Sequence, residues 1–197
     1  PADLLITNAK LVDVLTGEIR ETDVSVGGGK ILGFSHTDAV KVVDARGAYL
    51  LPGLIDAHIH IESSMVSPAR FAGLVLPHGT TSVVADPHEI ANVHGLEGIR
   101  YMLENGRPLP LNIFIALPSC VPATPFEDSG AVLSAEELEE LIDDPKVTGI
   151  GEMMNFPGVV SGDYDVLAKI QLGTSHGKIV DGHAPGLLGR DLDAYLV

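Results

Sequence analysis

The sequence predicts an α/β protein in which a small antiparallel sheet, over residues 1–51, precedes five βα units, over residues 52–197. The parallel strands of those units are expected to form either part of a barrel or a doubly wound sheet. Three observations carry this expectation. The composition is 45% hydrophobic but only 5% aromatic, with no Trp, so the core must be built from Val, Ile, Leu and Ala, the residues that fill parallel sheets. From Pro52 onward an apolar run, a loop and a helical stretch recur at the spacing of βα units. Each apolar run then ends in polar or ionisable residues, and always at its carboxyl end, where parallel barrels assemble their active sites.

Residues 2–50 hold short β-like runs at Leu4–Thr7, Lys10–Val14, Asp23–Val26, Lys30–Phe34 and Val40–Asp44. Turn signals separate them, among them Thr16-Gly17 and the triple glycine Gly27–Gly29. No helix start follows the glycines, so they read as a hairpin turn rather than a phosphate loop; His36 reads as a solvated loop residue. In the second region, strands are expected at Leu54–Ile61, Thr80–Asp86, Leu111–Leu117, Val147–Met153 and Lys178–His183. Helical stretches are expected near Pro68–Leu76, Leu96–Asn105, Ala135–Asp143, Tyr164–Leu172 and Arg190–Leu196. Ser134 suits an N-cap, since Glu136 and Glu137 behind it favour the positive end of a helix dipole. The acidic cluster Glu136–Glu140 then reads as that helix's solvated face.

The stretch that carries chemistry is Leu51–Met65, LPGLIDAHIHIESSM. Alternate residues of a strand share a face, so Asp56, His58, His60 and Glu62 are expected to project together while Ala57, Ile59 and Ile61 pack on the opposite side. Ionisable groups on a buried face need a common partner, and a divalent metal is the simplest one. The later strand ends add Asp86, His88 and Glu89, then Ser119 and Cys120, Glu152 and Asn155, and finally Asp181 and His183.

Charge narrows the function classes. With 12 basic against 27 acidic residues, the chain lacks the cationic surface that binds a nucleic-acid backbone, and an anionic membrane surface is equally disfavoured. The single Cys120 excludes an internal disulfide framework. There is no run of about 18 apolar residues and no basic amino-terminal region leading into a hydrophobic core. A soluble, cytoplasmic protein is expected.

In these residues the chain resembles the amidohydrolase superfamily and, within it, the adenine deaminases. The segments PGLIDAHIHIESSM, HGTTSVVADPHEIANVHG, LPSCVPATPFE, GEMMNFPGV and DGHAPGL occur in the order that family shows, and the likeness runs from about Leu4 to the last residue. The resemblance implies a partial (β/α)8 TIM barrel, its first five βα units, preceded by strands of a small β-sandwich. It implies hydrolytic deamination of adenine to hypoxanthine and ammonia, with His58, His60 and His183 as metal ligands. Glu152 takes the place of the carboxylated Lys that bridges two metals in many superfamily members. A binuclear divalent centre is implied, of manganese or iron, with zinc a third choice. Glu62, His88 and Glu89 become the candidates for giving a proton to the purine ring. The superfamily's sixth-strand His and eighth-strand Asp have no counterpart before Val197, so an amino-terminal portion of a longer protein, inactive alone, is expected. A small-molecule purine is the expected partner and a homo-oligomer the expected assembly.

Other residues read more plainly. Asp56 is expected to orient a ligand imidazole, Met153 and Met154 to fill core, and His78, His94 and His176 to serve stability, solvation or capping. Ser119 and Cys120 are expected where a substrate lies, although a metal-activated water makes a nucleophilic Cys redundant. Two other functions compete: a cyclic-amide hydrolase such as a dihydropyrimidinase or dihydroorotase, which normally carries the Lys that Glu152 replaces, and a non-catalytic metal-binding fragment.

Overall fold

The computed structural model describes residues 1–124 and 126–196. It divides into two units, Pro1–Gly53 and Leu54–Val197.

The first unit is a five-stranded sheet of β1 (Ala2–Val12), β2 (Ile19–Gly27), β3 (Lys30–Gly33), β4 (Ala39–Asp44) and β5 (Tyr49–Leu50). Its order is β3-β2-β1-β4, with β5 also on β1. The expected all-antiparallel sheet is corrected to a mixed one, because β4 and β5 pair with β1 in parallel. Hairpins dictate antiparallel pairing only where the connection is tight. Gly28 and Gly29, both at positive φ (57° and 73°), make such a turn between β2 and β3. The two runs expected at Leu4–Thr7 and Lys10–Val14 are one strand interrupted by an irregularity between Ile6 and Ala9. Asn8 sits there at φ 54°, a left-handed conformation that Asn tolerates better than most residues.

The second unit holds β6 (Leu54–Ile59), β7 (Thr80–Ala85), β8 (Asn112–Leu117), β9 (Val147–Met153) and β10 (Ile179–Gly182). All neighbours pair in parallel, and the spatial order is the chain order. A doubly wound sheet reverses direction at a switch point; this sheet never does, which makes it an arc of a (β/α)8 barrel. Helices α1 (Pro68–Val75), α2 (His88–Gly106), α3 (Ala135–Ile142), α4 (Phe156–Ser161), α5 (Tyr164–Ser175) and α6 (Gly189–Tyr195) connect and follow the strands. The core lies between sheet and helices, where Ile113, Ile115, Leu117, Val147 and Ile150 meet Ile99, Met102, Leu138 and Ile142. Each fully buried side chain of this size contributes roughly 2–3 kcal/mol of transfer free energy.

Several local expectations are met and several are corrected. Ser134 caps α3 and does so reciprocally, its hydroxyl accepting from Glu137 N–H while the Glu137 carboxylate accepts from Ser134 N–H. Leu138, Leu141 and Ile142 form the buried stripe behind that cap, at the i, i+3, i+4 spacing of one helix face. The second helix begins at His88 rather than Leu96 and bends at Gly95 (φ 58°, ψ −140°), so His88 and Glu89 lie in a helical first turn instead of a loop. Helix α4 was not anticipated; Asn155 caps it through a bond from Gly158 N–H. The first barrel strand stops at Ile59, and Glu62–Ser64 form a 3-10 turn, so Glu62 leaves the strand face it was expected to share. Leu54 and Ile55 are 54% and 69% exposed, because β6 is an edge strand with β7 as its one neighbour among the described residues. No helix among the described residues is long and apolar enough to cross a membrane.

Candidate metal centre

The ends of β6, β9 and β10 bring four of the expected residues together. His58 Nε2 lies 3.3 Å from His60 Nε2. Glu152 Oε1 lies 3.6 Å from the first of these nitrogens and 3.1 Å from the second. Its other oxygen, Oε2, stands 2.8 Å from His183 Nδ1. Glu152 is buried, His60 and His58 are partly exposed, and His183 is open to solvent on one side. One carboxylate therefore faces imidazoles on both of its oxygens.

Neighbouring groups decide which way these rings present their lone pairs. His60 Nδ1 is 2.7 Å from the Asp86 carbonyl and must donate to it, which leaves Nε2 as the acceptor nitrogen. His58 Nδ1 is 3.4 Å from Asp181 Oδ2, an ion-pair contact outside hydrogen-bonding geometry. Two imidazole nitrogens and a carboxylate oxygen converge, an arrangement that repels itself unless a cation or proton lies among them. Their mutual spacing of 3.1–3.6 Å suits a metal, since tetrahedral ligands about 2.0–2.2 Å from one ion stand about 3.3–3.6 Å apart. The His60 pKa is raised: burial pulls it down, but the Asp86 carbonyl and the charges of Glu89, Asp86 and Glu152 outweigh that pull.

Asp86 holds the centre from behind. It is fully buried, and its Oδ2 accepts the Glu152 N–H at 3.1 Å. Gly151 makes room for it, because a Cβ there would stand 2.1 Å from Oδ2. Ser119 donates to the Glu152 carbonyl at 2.6 Å, so both backbone groups of Glu152 are tied down.

Comparison with known proteins gives this geometry a lineage. A family model described as "Amidohydrolase family" matches residues 49–194. The chain belongs to the amidohydrolase family. Among amidohydrolase relatives, the adenine deaminase of Nitratidesulfovibrio vulgaris (strain DP4) is 63% identical over 195 residues, covering 99% of this chain and 34% of that protein. The adenine deaminase of Desulfatibacillum aliphaticivorans is 54% identical over 196 residues, again covering 34% of its length. The chain thus spans about a third of the curated relatives it matches. Among solved structures, a β-aspartyl dipeptidase from Fervidobacterium islandicum AW-1 aligns with a TM-score of 0.59 at 22% identity, over 98% of this chain and 53% of that one. A dihydroorotase aligns with a TM-score of 0.58 at 19% identity, over 98% and 55%. At such identities the likeness is one of fold.

The remaining residues of interest in this amidohydrolase chain fall into two groups. Glu62 Oε1 accepts from Ile90 N–H at 3.3 Å, while its Oε2 is buried without a partner among the described residues. Burial pushes the Glu62 carboxyl up, against the lowering effect of the Glu62 and Ile90 backbone N–H groups. Buried His88 has Nδ1 2.5 Å from Asp86 Oδ1, outside hydrogen-bonding geometry, and its Nε2 has no partner among the described residues. Glu89 is half-exposed and accepts from Ser63 Oγ at 2.7 Å. The second group lies beside the centre. Ser119 and Cys120 are buried against the β9 end, with Cys120 Sγ 4.0 Å from Met153 Sδ, and both line a cavity with Asn155, Val166 and Lys169. Asp56 touches the His58 backbone N–H at 3.3 Å; the imidazole belongs to Asp181. Met153 fills core as expected, and His176 caps α5 by donating from Nδ1 to the Leu172 carbonyl at 2.9 Å.

Sequence reasoning placed Asp86 and Asp181 at strand ends but assigned them no part. For Asp181 the signal was present, since it lies two residues before His183 and shares its phase. For Asp86 none was, because its partner Glu152 is 66 residues away.

Proposed function

We propose that the full-length protein is an adenine deaminase, hydrolysing adenine to hypoxanthine and ammonia, and that this chain supplies one wall of its active site. The observation that carries the reading is a chain 63% identical to a protein of that name, in which Glu152 faces His58 and His60 through one oxygen and His183 through the other. His58, His60, Glu152 and His183 would hold a binuclear divalent centre. The donor set is imidazole and carboxylate without thiolate, which suits manganese or iron and accommodates zinc. When bound, a divalent cation supplies Lewis acidity that lowers the pKa of water towards neutrality.

The chain's own groups do the rest. Asp181 and the Asp86 carbonyl keep the two first-strand imidazoles facing the centre. Glu62, His88 and Glu89 are the candidates for giving a proton to the purine's ring nitrogen; Glu89 is the most exposed of them.

The test uses the full-length protein expressed with manganese, iron or zinc, measuring metal content and ammonia release from adenine, dihydroorotate and hydantoin. Metal-dependent ammonia release from adenine is expected, with loss of both metal and activity in Glu152→Gln. No release from adenine with any of the metals refutes the reading.

A further inference from the structure

We propose that Tyr195 is a positioning residue for the Glu152 and His183 pair, its hydroxyl clamping the ends of β9 and β10 together. The inference rests on the metal reading of that pair. Tyr195 Oη donates to the Met153 carbonyl at 2.9 Å and accepts from the His183 N–H at 2.9 Å. One of these groups belongs to the residue after Glu152 and the other to His183 itself, so a single oxygen sets the spacing of two backbones whose side chains meet at 2.8 Å.

The strands do not set that spacing alone. Their ladder pairs Val180 with Ile150 and Gly182 with Met153, an irregularity that places one extra residue on β9, and β10 ends at Gly182. His183 is thus beyond regular pairing, and a bulged ladder leaves a backbone group for some other partner. The Tyr195 hydroxyl is that partner. The ring that carries it packs against the buried cluster of Cys120, Met153 and Val166, which fixes where the oxygen sits. Gly182 leaves the hydroxyl its room, since a Cβ there would stand 2.8 Å from Oη.

The experiment is chelator competition for Mn²⁺ on the full-length protein, comparing Tyr195→Phe with the parent and with Tyr164→Phe, whose residue is 87% exposed. Tyr195→Phe keeps the packed ring and deletes the clamp, and is expected to lose about 10–100-fold in metal affinity, the usual cost of removing a group that orients a ligand. Tyr164→Phe is expected to match the parent. Gly182→Ala should weaken Mn²⁺ binding by displacing the hydroxyl and the edge of the ring that carries it, since its Cβ would stand 2.8 Å from Oη and 3.1 Å from Cε1. Tyr195→Phe affinity within about twofold of the parent, well under that cost, overturns the proposal. Should Tyr195→Phe fail to fold, unchanged Mn²⁺ affinity in Gly182→Ala overturns it. Glu152→Gln separates the two layers: retained affinity there refutes the metal reading, whereas loss there with intact Tyr195→Phe refutes the clamp alone.

Discussion

Gly151→Ala tests the idea that the centre is held by rigid backing rather than by its exposed members. The added Cβ would stand 2.1 Å from Asp86 Oδ2 and 2.7 Å from its Cγ, in a fully buried neighbourhood where Asp86 has no solvent to move into. Relieving the overlap means pushing the carboxylate off the Glu152 N–H it accepts at 3.1 Å. Overpacking of this kind costs about 1–3 kcal/mol, and losing a hydrogen bond to a charged group about 1.5–3 kcal/mol. A total of about 2.5–6 kcal/mol follows. At about 2–4 °C per kcal/mol for a domain of this size, thermal unfolding followed by circular dichroism should show the midpoint falling by roughly 5–24 °C. Gly73→Ala is the matched control: exposed in α1 with nothing within 4 Å of its Cβ, it should gain about 0.5–1 kcal/mol from helix propensity. A Gly151→Ala midpoint within about 3 °C of the parent, far below that scale, would show that Asp86 yields freely and would refute the reasoning.

Three other outcomes are expected. Ser134→Ala removes the hydroxyl half of the α3 capping box and should cost about 1 kcal/mol in denaturant unfolding. Leu138→Ala, at a fully buried position, should cost about 2–5 kcal/mol, several times the cap on the same helix. Asn8→Gly keeps the left-handed backbone available but removes the side-chain hydrogen bond that, with the Arg46 N–H, holds the Asp44 carboxyl below its ordinary 3.8. Its NMR titration should move back up towards that value. Because the folded-state pKa is depressed, this stabilisation is present above the unfolded pKa and lost as pH falls through the folded one, so the variant should differ from the parent at neutral pH and converge with it in acid.

Much of the site could be read directly from the chain because its logic is local. His58 and His60 share a strand face through their two-residue spacing, Ser134 and Glu137 meet across one helical turn, and the apolar runs announce parallel strands without reference to any neighbour. The same reliance on local period failed at Glu62. Alternation does not extend past Ile59, where the chain turns into a 3-10 segment and fully buried Ile61 packs into the barrel core.

The sequence by itself determined most of the strands, the Ser134 cap and which ionisable residues stand at the strand ends, since each follows from side-chain periodicity and from groups within a few residues of one another. Only the tertiary structure decided that the sheet winds in one direction, that Asp181 rather than Asp56 steadies His58, that Ser119 serves the Glu152 backbone, and that Tyr195 bridges Met153 and His183. Those contacts join residues 12 to 123 positions apart, and which of many polar groups meets a given partner is fixed by the path of the backbone through space, which no local pattern encodes.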